Sequence, residues 1–192
     1  PMLISYYSDM ATILVFRGEH NEALDHQKKA LELSFKNDIH VLRSYGFLVN
    51  TLLDIERYDE ALDIADEGIE FYNQLKHTKG TIAEEFKAKL FFQKGLIYTE
   101  LKQFDAALIN LNKAVTVYKS IYDTQIHANI ASSYLRAANA YSYSGQYKEA
   151  LANYKKSLSS NTISIENNNS ASSDLFDRQN DKLTYLDIQY GI

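Results

Sequence analysis

The sequence predicts an all-α fold, a stack of four helix-turn-helix units followed by a C-terminal helix. Three observations predict it. Only one proline stands in 192 residues, so long helices can run unbroken. Apolar residues recur at helical spacing along most of the chain. One short pattern returns four times, and recurrence on that scale is the mark of a stacked repeat array.

The first copy of the pattern is Gly18-Glu19-His20-Asn21-Glu22-Ala23-Leu24, followed by Lys29-Ala30-Leu31. It places helices over 3–17 and 20–36. The second copy, Arg57-Tyr58-Asp59-Glu60-Ala61-Leu62 followed by Gly68-Ile69, places helices over 39–55 and 59–76. The third, Gln103-Phe104-Asp105-Ala106-Ala107-Leu108 followed by Lys113-Ala114-Val115, places them over 80–102 and 104–120. The fourth, Gly145-Gln146-Tyr147-Lys148-Glu149-Ala150-Leu151 followed by Lys156-Ser157-Leu158, places them over 124–144 and 147–160. The repeats thus run 3–36, 39–76, 80–120 and 124–160.

Each recurring residue has a physical task. Glycine at the turn (Gly18, Gly145) ends a helix in the left-handed conformation. The aromatic that follows (Tyr58, Phe104, Tyr147) wedges between the two helices. The anchors Ala23, Ala61, Ala107 and Ala150 let those helices approach, as do Ala30, Gly68, Ala114 and Ser157 further on. Upstream, Tyr45, Val49 and Leu52, then Phe91, Gly95 and Tyr98, then Tyr134, Ala138 and Tyr141 face the partner helix.

After Ser160 the composition turns polar, and 161–173 is expected to be a loop. A final helix over 174–190 follows, capped by Ser173 or Asp174. Phe176, Leu183, Leu186 and Tyr190 form a short apolar seam on it. The seam either covers the end of the array or pairs with a second copy to make a homodimer.

The aromatic-x-x-alanine-leucine signature resembles the tetratricopeptide repeat, with His20 in the aromatic place of the first unit. That resemblance implies a right-handed superhelix whose first helices line a concave face. Two departures stand out. The anchor alanines lie 38, 46 and 43 residues apart, longer than the standard period of about 34. Phe35, Asn73, Lys119 and Thr162 occupy the places of the proline that usually closes each unit. The tail, through Asp174, Leu175, Phe176, Asp177, Gln179, Asn180, Leu183, Leu186, Asp187 and Tyr190, resembles the segment after the last repeat in sensor histidine kinases and helix-turn-helix regulators common in the Bacteroidetes. There the helix leads toward a membrane span and an output domain. The opening Pro-Met-Leu-Ile-Ser-Tyr-Tyr reads as the middle of a helix, so the chain is expected to be part of a longer one.

Composition removes several functions. With no cysteine there is no disulfide, thiolate metal site or cysteine nucleophile. A net charge of -5 gives no basic field for nucleic acid. No apolar run is long enough for membrane insertion. Phosphate-binding loops, zinc-protease and hydrolase motifs are missing, and His20, His26, His40, His77 and His127 are scattered. The expectation is a non-enzyme with no metal and no cofactor.

What remains is the concave face. Helical position assigns Ser5, Ser8, Thr12 and Phe16 to it, then Arg43, Gly46, Asn50 and Leu53. The later helices add Lys89, Phe92, Leu96 and Thr99, and Ser132, Leu135, Asn139 and Tyr143. Asn50 and Asn139 hold equivalent places, where an amide can bond both N–H and C=O of a peptide. Arg43 and Lys89 suit a carboxylate, and Phe16, Phe92 and Tyr143 suit apolar anchors. The expected function is recognition of a peptide or protein segment, in the sensor domain of a bacterial signal-transduction protein. Two alternatives are a cytoplasmic receptor like the peptide-pheromone regulators of Gram-positive bacteria, and a scaffold.

Overall fold

The computed structural model describes residues 2–35, 37–75, 80–123 and 127–167. Among them stand eight helices and no strand: α1 (Met2–Phe16), α2 (His20–Ser34), α3 (Asp38–Asp54), α4 (Tyr58–Gln74), α5 (Thr81–Glu100), α6 (Phe104–Tyr122), α7 (Ala128–Tyr143) and α8 (Tyr147–Asn167). The chain divides into two compact units, Pro1–Ile97 and Tyr98–Ile192.

The four hairpins share one turn. Each first helix ends in a residue of positive φ: Gly18 at 76°, Glu56 at 62°, Lys102 at 58° and Gly145 at 77°. The next residue's N–H reaches back across the last helical turn. The four bonds are Glu19 N to Leu14 O at 2.9 Å, Arg57 N to Leu52 O at 2.9 Å, Gln103 N to Tyr98 O at 2.8 Å and Gln146 N to Tyr141 O at 2.8 Å. This pairing satisfies carbonyls that a helix end leaves open. Glycine occupies two of these turns, as the repeat pattern predicts; Glu56 and Lys102 adopt the same conformation without it.

Two connections between hairpins end in a side-chain cap in place of proline. Asn37 Oδ1 accepts from Ile39 N at 3.1 Å and His40 N at 3.2 Å, starting α3. His127 Nδ1 accepts from Asn129 N at 3.2 Å, starting α7, so one of the five scattered histidines is a cap.

Small residues set the helix spacing. Ala23, Ala61, Ala107 and Ala150 are all fully buried, as are Ala30, Ala114 and Ser157. At Gly68 a Cβ would fall 2.9 Å from Leu90 Cδ1 and 3.0 Å from Tyr45 Cβ, so α4 lies too close to α3 and α5 for a side chain. The first unit is filled by Ala11, Leu14 and Ala23 in one place and by Leu42, Tyr72 and Ala83 in another. In the second unit Ala138, Ala150, Leu151 and Tyr154 pack together, with Leu135 and Tyr147 against them.

One boundary differs from expectation. The polar segment placed as a loop from 161 is helical as far as Asn167, because α8 continues without a break. Its serines, threonine and asparagines are weak helix formers, yet they carry no proline or glycine to stop it. The C-terminal helix over 174–190, with Phe176, Leu183, Leu186 and Tyr190, lies outside the described residues.

Candidate binding groove

Within the first unit, one stripe of α3 carries Arg43, Phe47, Asn50 and Asp54. Spacings of four, three and four put them on a single helix face. Arg43 and Asp54 are exposed, and Phe47 and Asn50 are half-buried.

The N-terminal half of the stripe is basic. The Arg43 guanidinium lies 5.9 Å from the Phe86 ring centroid, and Lys89 Nζ lies 5.4 Å from that of Phe47. Neither cation forms an ion pair among the described residues. Burial holds the Lys89 ammonium below the ordinary lysine range; Glu85 offsets part of that and Arg43 adds to it. Two cations without a direct ion pair therefore stand together where α3 and α5 meet, with Glu85 near Lys89.

Asn50 is held from below. Gln93 is 1% exposed on α5, and its Nε2 donates to Gly46 O at 2.7 Å and to Asn50 Oδ1 at 2.5 Å. The Asn50 carbonyl is thereby engaged, and its Nδ2 donates to no described group. Gly46, expected in the groove, is instead buried beneath this bridge, because its carbonyl is the acceptor Gln93 needs. Gln93 has no signal in the sequence beyond its place on the inner face of α5.

The C-terminal half of the stripe opens into a cavity of 370 Å³ lined by residues of α1, α2 and α3. Thr12 and Phe16, both expected to face the groove, belong to it, with Phe47, Asn50 and Asp54. Gln27 of α2 also lines it, although it is only 2% exposed. Gln27 Oε1 is buried without a hydrogen-bond partner. Phe16 stands 87% exposed above it. Sequence reasoning missed Gln27, because a buried glutamine reads as an ordinary helix residue.

Asn139 and Tyr143 belong to the second unit. Phe92 is half-buried on α5. Asn139, in the second unit, accepts from the Tyr154 hydroxyl at 2.7 Å across its own hairpin. Tyr143 is exposed and lies 6.5 Å, centroid to centroid, from Phe104 beside a 490 Å³ cavity at the α5–α6 turn. No group of histidines and carboxylates able to hold a metal occurs among the described residues, and no described helix is long and apolar enough to cross a membrane.

Known structures share this fold. BtubC (BKLC) from P. vanneervenii is 16% identical with a TM-score of 0.82, over 99% of this chain and 74% of that one. The nearly identical repeats of a putative kinesin light chain from Podosopora anserina are 14% identical with a TM-score of 0.71, over 98% of this chain and 87% of that one. RapI in its apo form is 15% identical with a TM-score of 0.69, over 86% of this chain and 58% of that one. No curated protein matches. The family model described as tetratricopeptide repeat matches residues 2–74 and 87–161, and so covers most of the chain. Repeats of this kind are generally non-catalytic modules that bind protein or peptide partners, and this chain belongs to the tetratricopeptide repeat family.

Proposed function

We propose that this chain is a non-catalytic recognition module that takes a peptide or protein segment along the α3 stripe. One observation carries the reading: Arg43, an aromatic and an amide with a free donor stand in line on one face of α3, with Lys89 of α5 beside them. Such a line suits an extended backbone, with Asn50 Nδ2 donating to a peptide carbonyl and Arg43 and Lys89 facing a carboxylate. The Gln93 bridge fixes the Asn50 rotamer before binding, which lowers the entropy cost. Within this reading the module is the input domain of a bacterial signal-transduction protein, supported by the tail residues from Asp174 to Tyr190.

The test is titration calorimetry with members of a random heptapeptide library. Binders are expected, and Asn50→Ala is expected to weaken them by about tenfold, the loss of roughly one hydrogen bond. Peptide affinities unaffected by Asn50→Ala and by Arg43→Gln would overturn the groove assignment. The signalling role is checked separately in the full-length gene, which should encode a kinase or DNA-binding output.

A further inference from the structure

The cavity at the far end of the stripe is electrostatically the reverse of the Arg43–Lys89 end. Asp54 is the only ionisable side chain among its described lining residues. No described cation pairs with it. The nearest arginines in sequence are committed elsewhere, Arg17 to Glu19 at 2.7 Å and Arg57 to Glu60 at 2.5 Å. Phe16 and Asp54 are the last residues of α1 and α3. The cavity therefore sits at two helix C-termini, where the backbone dipole favours positive charge. Neither helix places a basic residue in its last turn to satisfy that preference.

The Asp54 carboxylate and two helix C-termini give this end its negative character. Thr12 gives its own proton to Ser8 O at 3.1 Å, which leaves its oxygen as a further acceptor. Phe16, Val15 and Phe47 supply walls for a methylene stem and an aromatic face for a cation.

We propose that this cavity receives the side chain of an arginine or lysine carried by the bound peptide. The inference rests on the peptide-groove reading above and gives it a polarity. Arg43 and Asp54 are eleven residues apart, about 16 Å along the helix axis. An extended chain covers that distance in about five residues. The favoured ligand is thus a segment with an acidic residue at one end and a basic one about five positions away. Burial against the walls holds the Asp54 carboxyl above its ordinary range, which a bound cation would reverse.

The experiment uses two peptide mixtures, Glu-x4-Arg and Arg-x4-Glu, acetylated and amidated so that no terminal charge competes. Binding to the full chain is read by fluorescence polarisation. One order is expected to bind more tightly. Replacing its arginine by the neutral isostere citrulline is expected to weaken it about tenfold. Against Asp54→Asn, arginine and citrulline peptides should bind alike. Asp54 is exposed at the rim, so this variant keeps the fold, and its unfolding temperature checks that. Citrulline binding as well as arginine to the unaltered protein would overturn the cation pocket. If that binding still falls with Asn50→Ala, the groove reading stands without it. If neither mixture binds, both readings fall.

Discussion

Asn50 and Asn139 hold the same register in the two units, and the molecule uses them differently. The offset that relates them also relates Tyr45 to Tyr134, Gly68 to Ser157 and Ala65 to Tyr154. In the second unit the Tyr154 hydroxyl crosses its own hairpin to Asn139. In the first unit Ala65 stands in that place and has no hydroxyl to give. Gln93 of the following helix supplies the donor to Asn50 instead. The stripes around them differ as well: Arg43, Phe47 and Asp54 beside Asn50, against Ser132, Arg136 and Tyr143 beside Asn139. A repeated residue thus reports the repeat, and its neighbours decide what it bonds to.

The sharpest contrast is at the paired small residues. Gly68→Ala places a Cβ against Leu90 and Tyr45, so it should destabilise by about 1–3 kcal/mol despite alanine's better helix propensity. Ser157, fully buried, donates to Ala131 O at 2.8 Å, and Ser157→Ala should cost about 1 kcal/mol through that lost bond. Thermal unfolding of both variants measures the difference. A neutral Gly68→Ala would show that α4 has room that its position denies.

The asparagines come next. Asn139→Ala removes the acceptor of a buried tyrosine hydroxyl and should cost about 1–2 kcal/mol of stability. Asn50→Ala leaves Gln93 bonded to Gly46 and should cost less than about 0.5 kcal/mol, its effect falling on peptide binding. Equal losses of stability would erase the distinction between the units. Tyr154 gives the same contrast a pH signature. Burial pushes its hydroxyl up to about 12, with the neighbouring Tyr143 adding to the rise. The neutral form is favoured in the folded state, so this stabilisation is complete below about pH 10 and is lost as pH rises through about 12. Tyr154→Phe should flatten the alkaline fall in unfolding temperature. Tyr72 in the first unit, raised to about 12 by burial and its bond to Glu84, accounts for part of what remains.

The fold is legible in the sequence because its determinants are local. Alanine anchors, turn glycines and helical periodicity each act within one or two turns, and all four anchors are buried as expected. The groove is legible by half. Arg43, Asn50, Thr12 and Phe16 follow from helical phase alone. Gln27 and Gln93 do not, because their roles arise where one helix packs on another. Gly46 departs from its expected place for the same reason: its phase points to the groove, but Gln93 covers it. The end of α8 escapes a reading by composition because polar residues weaken a helix without stopping it.

Small effects are also expected at the turns, where each unit pairs a glycine turn with a turn that lacks one. Gly18 and Gly145 supply positive φ without strain, and a Cβ at either meets nothing within 4 Å. Any cost of Gly145→Ala is therefore backbone strain alone, about 1 kcal/mol. Glu56 and Lys102 already carry that strain in the matching turns. Glycine at either should relieve it, less the extra freedom glycine gives the unfolded chain, for a net gain of about 0.5 kcal/mol. Chemical denaturation of Gly145→Ala, Glu56→Gly and Lys102→Gly reads these differences. Stabilisation by glycine at 56 and 102 would show that these turns are held by their helices and not chosen by their residues. A loss at both would mean that the Glu56 and Lys102 side chains contribute more than their backbone strain costs.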